Sequence, residues 1–283
     1  MKRRDEKMAR LPEIKSQYIW AVVLISYVFT AVVPLGSPFS VYDTTLEAYN
    51  FMEKLPKGSI CVMGGSSVFA FDLESSASMI ACLRQMARNG LRLVNIPLAV
   101  ESTQYERYCV DAARVDSKYG GPWKYGVDWV QLPYIPGGDP SLIQLLTDVR
   151  SIVKTDVYGT PFDNLPIMKD FRNYKDITVW VCPHYGITSI FRYVTGERRI
   201  PTVHFSQAAG FTGSYGYRTV FPGLVYVTNG WTGGAGYEKL MGYSGVGSST
   251  VDGYSLLSVE FLVFVVLGNA TMLYGKRKEE EAV

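Results

Sequence analysis

Strand-sized apolar runs alternate with amphipathic helical stretches through the middle of the chain, and an apolar segment lies near each end. Together these patterns predict an α/β fold. It is a Rossmann-like three-layer domain with a mostly parallel sheet, flanked by N- and C-terminal transmembrane helices. Strands separated by helices imply βαβ units with right-handed crossovers. The chain has 283 residues, 47% of them hydrophobic, which is far from a disordered composition.

The N-terminal stretch 1–17 is a basic tail carrying Lys2, Arg3, Arg4, Lys7, Arg10 and Lys15. Tyr18–Leu35 follows as 18 residues without a charge, just enough for a helix to cross a core of about 30 Å. No Ala-x-Ala-like site follows it, so it reads as an uncleaved anchor. Tyr254–Tyr274 forms a second span of 21 residues with one charge, Glu260, and Lys276, Arg277 and Lys278 stop it. Basic flanks stay cytoplasmic, so both termini (the second tail being 275–283) are expected in the cytoplasm and residues 37–253 outside it. Tyr18, Trp20, Tyr254 and Tyr274 lie near span ends, where interfacial aromatics belong.

Within 37–253 the elements read in order. Asp43-Thr44-Thr45 opens a helix to Lys54, with Glu47 placed to complete a capping box with Thr44. Ser59–Met63 is a strand ending at Gly64-Gly65. Leu73–Arg88 is a helix stopped by Asn89-Gly90, and Leu91–Leu98 a second strand. Ser102–Lys118 is a helix closed by Gly120-Gly121, and Val127–Leu132 a third strand. Asp139-Pro140 starts a helix to about Lys154, with proline at its first position. Asp156–Pro161 reads as a turn, Pro166–Asn173 as a short helix, and Ile177–Cys182 as a fourth strand. Thr188–Val194 is helical and Ile200–Phe205 is a fifth strand. The stretch 206–253 is rich in glycine and tyrosine and reads as a loop-rich connection to the second span. Its alternative is a close-packed contact surface for neighbouring subunits, through Tyr215, Tyr217, Trp231 and Tyr237.

Charge excludes some functions. Lys and Arg number 28 against 26 Asp and Glu, and the central region carries 19 of each sign. No basic excess exists to hold nucleic acid. No metal site is expected, because C-x-x-C, H-E-x-x-H and EF-hand patterns are missing. No cofactor is expected either. Gly64-Gly65-Ser66-Ser67 resembles a phosphate-cradling turn only in outline, without the G-x-G-x-x-G spacing or a Walker lysine.

Parallel α/β sheets bind ligands beyond the C-terminal ends of their strands. There Gly64, Gly65, Ser66, Ser67, His184 and Gln207 are the candidate ligand-binding residues. Ser66 or Ser67 with His184 and an acid, Asp72 or Asp139, would make a hydrolase constellation, but no G-x-S-x-G elbow supports it. Both histidines, His184 and His204, fall at or near strand ends and could flank one pocket; the other reading is that they are hydrogen-bonded in or beside the core. Cys61, Cys82, Cys109 and Cys182 read as buried thiols, with a Cys82–Cys109 disulfide the alternative outside the cytoplasm. Glu260, about two turns inside its span, reads as glue between helices or subunits, with Ser26, Tyr27 or Thr30 as partners in the first span.

Asp156-Val-Tyr-Gly-Thr-Pro, then Leu165-Pro166-Ile167-Met168, then Gly233-Gly234-Ala235-Gly236-Tyr237-Glu238 resembles a group of uncharacterised prokaryotic membrane-anchored α/β proteins. The resemblance covers about residues 50–245 and implies a helical-hairpin anchor with an external α/β domain; it implies no activity. In that group the glycine-rich piece continues into a longer Ala-Glu-Tyr-Glu run, which is shortened here. The expectation from the residues is a non-enzymatic subunit of a membrane assembly, whose partners are the lipid bilayer and other membrane-protein subunits or a second copy. An external small-ligand module and a membrane-anchored hydrolase are the alternatives.

Overall fold

A computed structural model describes residues 15–114, 123–183 and 188–281, with side chains through 273. In chain order α1 (Ser16–Val32) is followed by α2 (Asp43–Glu53), β1 (Ile60–Met63), α3 (Phe69–Asp72), α4 (Ser76–Arg88), β2 (Arg92–Asn95) and α5 (Ser102–Arg114). Then come β3 (Trp129–Gln131), α6 (Gly138–Thr147), β4 (Val179–Cys182), β5 (Thr202–Ser206), α7 (Phe211–Val220), β6 (Val225–Asn229), α8 (Gly230–Met241) and α9 (Val246–Glu281). Two compact units result: the domain Pro38–Ser248, and the terminal segments up to Ser37 and from Ser249.

The domain is built on one six-stranded sheet, parallel throughout, in the order β3-β2-β1-β4-β5-β6. This is the Rossmann order, with its switch point between β1 and β4. Both sheet faces are covered, which is why the strands are nearly continuous apolar runs. Alternate residues face opposite layers. Val62, Val94, Val130 and Trp180 pack into one core with Leu145, Phe162 and Phe191. Cys61, Leu93, Trp129 and Val181 pack into the other with Met79, Leu83, Tyr105 and Tyr237.

Several expectations change. The stretch 206–253 is not a loop-rich connection: it supplies α7, the sixth strand β6, α8 and the start of α9. Its glycines serve contact. A Cβ on Gly234 would lie 2.5 Å from the Ala77 Cβ of α4, and one on Gly247 2.6 Å from the Ala235 nitrogen. The helix expected at Leu73–Arg88 opens with a 3-10 turn, Leu73–Ser75, before α4, and the short helix α3 precedes it. The one expected at Thr188–Val194 includes a π-helical turn, Ile190–Gly196. Pro166–Asn173 shortens to a 3-10 turn, Pro166–Lys169. The capping box at Thr44 does not form. Tyr42 precedes the first turn of α2 without a side-chain cap, and Glu47 instead pairs with Arg218, at 2.6 Å. The chain around Gly120-Gly121 lies outside the described residues.

The stretch Val246–Leu273 of α9, which begins in the last residues of the domain, is long and apolar enough to cross a membrane. The apolar helix α1, at 17 residues, is shorter. It rises about 26 Å, at the lower limit of what a span needs. The Asp252 carboxylate accepts the backbone N–H groups of Leu35 (2.8 Å), Gly36 (3.1 Å) and Ser37 (2.7 Å). The Ser26 hydroxyl donates to Glu260, one of the three partners that the sequence suggests.

Candidate functional site

The crevice to examine is at the C-terminal end of the sheet, between β1 and β4. The chain leaves β1 through Gly64 with no room to spare. A Cβ at Gly64 would lie 2.7 Å from the Ile96 carbonyl oxygen and 2.9 Å from the Trp180 ring, and Trp180 Nε1 donates to the Gly64 carbonyl at 2.8 Å. The packing against the chain after β2 and against β4 leaves room only for glycine here. The Ser102 hydroxyl of α5 lies 2.9 Å from both the Gly65 and Ser67 carbonyls. Ser67 is fully buried and donates to the Pro183 carbonyl at 2.8 Å, across the switch point. Ser66 is half-buried.

The following turn is tied to the far half of the sheet. Asp72 is buried; its carboxylate accepts from the Val68 N–H (2.7 Å) and from Gln207 Nε2 (2.9 Å). Gln207 Nε2 also donates to the Phe71 carbonyl, and the Tyr105 hydroxyl donates to the Asp72 carbonyl at 2.6 Å. Glu74 accepts from the Ala208 N–H at 3.2 Å. Loops after β1 and β5, expected to receive a ligand, are thus joined to each other.

Of the residues named for a hydrolase constellation, Ser67, Asp72 and Asp139 each bond to other groups. Ser67 and Asp72 spend their polar atoms on neighbouring loops, and Asp139 accepts the Ser189 hydroxyl at 2.5 Å. His184 lies outside the described residues. His204 is fully buried on β5, edge-on to Phe191 at 5.9 Å. Asp156 is the centre of a turn: its carboxylate accepts from the Tyr158 and Thr160 N–H groups and from the Tyr125 hydroxyl. The four cysteines are buried and none is in a disulfide. Burial pushes the Cys82 thiol up to about 12 and raises Cys61 as well. Among the described residues no group of histidine, cysteine or acidic side chains is arranged to hold a metal ion.

The residues proposed as a contact surface divide. Tyr237 is fully buried, and its hydroxyl donates to Gln85 Oε1, so it belongs to the core instead of an outer surface. Tyr217 stacks on Phe191 at 4.2 Å and is also packed inward, whereas Trp231 is half-buried and Tyr215 is exposed.

Two buried polar side chains near the same sheet end escaped the sequence reading. Asn95, the last residue of β2, makes no hydrogen bond to protein through either amide atom, and Glu106 of α5 makes none of normal geometry through either carboxylate oxygen, the Gly65 backbone being the donor that acts on it. Both are fully buried. Asn95 alternates with Leu93 and so faces the layer that contains α5. Burial pushes the Glu106 carboxyl well above its usual range, opposed by the Gly65 backbone and assisted by Asp72. The available signal was periodicity: Ser102, Tyr105, Glu106, Cys109 and Ala113 make one helical stripe, with a carboxyl group inside it.

No protein family, curated protein or solved structure matches the chain.

Proposed function

We propose that this chain is a non-enzymatic, membrane-anchored subunit of an integral membrane assembly. Its anchor has two passes and cytoplasmic termini, and the Rossmann-like domain stands outside the cytoplasm and acts through protein contacts. One observation supports the reading against a ligand site: at the end of β1, beside β4, Gly64 and Ser67 are engaged by the protein's own groups. Gly64 is closed by Ile96 and Trp180, and the Ser67 hydroxyl is used by Pro183. Basic flanks on both apolar segments support the topology. The Ser26–Glu260 bond supports pairing of α1 with α9.

The test is the mass of the native particle after gentle detergent extraction. A defined assembly several times the 31.6 kDa of one chain is expected. A lone chain in detergent overturns the subunit reading.

Asn95 and Glu106 favour the second reading, an external module for a small polar ligand, because buried polar groups are normally satisfied. A ligand that pairs with them would raise the melting temperature of the chain and lose that effect in Asn95→Leu.

A further inference from the structure

We propose that the turn between β1 and α4, residues 68–73, is a lipid-contacting surface that rests on an uncharged bilayer interface. The inference builds on the membrane-anchor reading and adds a second point of contact. Three side chains within five residues point outward from this turn: Phe69 is 42% exposed, Phe71 69% and Leu73 46%. Val100, on the neighbouring loop after β2, is 67% exposed. The run Val68-Phe69-Ala70-Phe71-Asp72-Leu73 contains one charge, and Asp72 is turned inward and fully buried. The outward chemistry is therefore apolar and neutral. It suits the level of the headgroups and upper acyl chains, where aromatic side chains concentrate, without needing anionic lipid.

The exposure is held in place rather than a consequence of slack chain. Asp72, Gln207 and Tyr105 fasten the backbone from inside, as described above. Phe69 is braced by Tyr105 (ring centroids 5.3 Å apart) and Tyr108 (5.6 Å). A monomeric soluble surface rarely invests that much internal bonding in presenting two phenylalanines to water. The chain also leaves the domain at this end of the sheet. Gly247, next to the last domain residue, packs on Gly234 and on Ala77 in the first turn of α4. With a membrane-length helix in the same chain, a bilayer is present at high effective concentration, so a modest apolar patch is enough for occupancy.

Spin labels test this in the full chain, reconstituted in phosphatidylcholine nanodiscs. The native thiols are buried, so labels attach at introduced sites: Phe71→Cys, Leu73→Cys, and Lys57→Cys as the control before β1, at the opposite end of the sheet. At positions 71 and 73, collisions with oxygen are expected to exceed those with a water-soluble nickel chelate several-fold, with the reverse at 57. Equal nickel access at 71, 73 and 57 overturns the proposal. Protection of 71 and 73 from both reagents also overturns it, because protein then covers the turn. Failure of the chain to stay with the disc removes the anchor reading itself, a result distinct from water exposure in a chain that is retained.

Discussion

Glu238 is the polar hub of the junction between α8 and α9, and its removal tests how that junction is built. The side chain is buried. Its carboxylate accepts the N–H groups of Gly245 (3.0 Å), Gly247 (2.9 Å) and Ser248 (2.8 Å), and the Ser248 hydroxyl (2.7 Å). These amides belong to the opening of α9, where helical N–H groups have no carbonyl four residues back and negative charge is favoured. A hydrogen bond to a charged group contributes about 1.5–3 kcal/mol, but part-buried donors recover water once the acceptor is gone. The bond from Gly247 is buried and the other three are part-buried. Taking Gly247 in full and the others at about 0.5 kcal/mol each, Glu238→Ala loses about 3–4.5 kcal/mol. For a domain of this size that corresponds to a melting temperature lower by about 10 °C. Glu238→Gln keeps one acceptor oxygen and should lose about half as much. Tryptophan fluorescence during heating in detergent micelles reads both. An Ala variant within about 2 °C of the parent would refute the view that this carboxylate secures the start of α9.

Glu106 sits in the fold with its pKa raised by burial, so folding binds a proton. Stability from this group is complete below the unfolded carboxyl value of about 4.3 and is lost as pH rises toward the folded value. Glu106→Gln should therefore match the parent near pH 4 and exceed it at pH 8 in thermal unfolding; parallel curves would contradict this. Glu53 behaves in the opposite sense. Burial alone would raise it, but bonds from Gln85 (2.7 Å), Asn89 (3.3 Å) and Arg88 (2.5 Å) hold it below its usual range. Its stabilisation is present above the unfolded value and fades as pH falls through the folded one, so Glu53→Gln should flatten the acid limb of the stability profile. Finally, with Cys82 pushed up to about 12 and all four thiols buried, iodoacetamide at pH 8 should leave the native chain unmodified and add four groups after denaturation, read by intact mass. Rapid native alkylation would show that the core opens readily.

Five strands were legible because each is a short apolar run bounded by turn residues, such as Ile60–Met63 before Gly64-Gly65. The sixth, Val225–Asn229, is equally β-prone. It was obscured by its surroundings, since Gly230-Trp-Thr-Gly-Gly-Ala-Gly resembles a loop by propensity. That stretch is helical in α8 because Gly234 meets Ala77 and Gly233 meets Thr228, so tertiary contact outweighs the entropy cost of glycine. Tyr237 was misread for a related reason. Aromatic content marks both interfaces and cores, and only the Gln85 bond and full burial distinguish them. The helix capping reading failed at Thr44 because Arg218, distant in sequence, captured Glu47 in a two-oxygen ion pair.

The strand-end residues show why a motif resemblance and a site can part company. Gly64-Gly65-Ser66-Ser67 has the composition of a ligand-cradling turn, since glycine permits close approach and serine supplies a hydroxyl. Close approach has occurred, but to Trp180 and Ile96; the hydroxyl has bonded, but to Pro183. The same physical properties are satisfied by an internal partner, and nothing in the local sequence separates the two outcomes. Asn95 and Glu106 are the converse. They carry no motif, yet among the described residues near this sheet end both are fully buried and their side-chain polar atoms make no hydrogen bond of normal geometry to protein. A buried amide or carboxyl without a partner costs about 1–3 kcal/mol, so their retention needs a compensating partner or role. If a ligand is that partner, its chemistry must be neutral and able both to donate and to accept, because a protonated Glu106 and an amide do both. The outward Phe69, Phe71 and Leu73 make the opposite demand, for an apolar partner, on the same end of the sheet. One end of the domain therefore divides into an apolar rim and a buried polar floor.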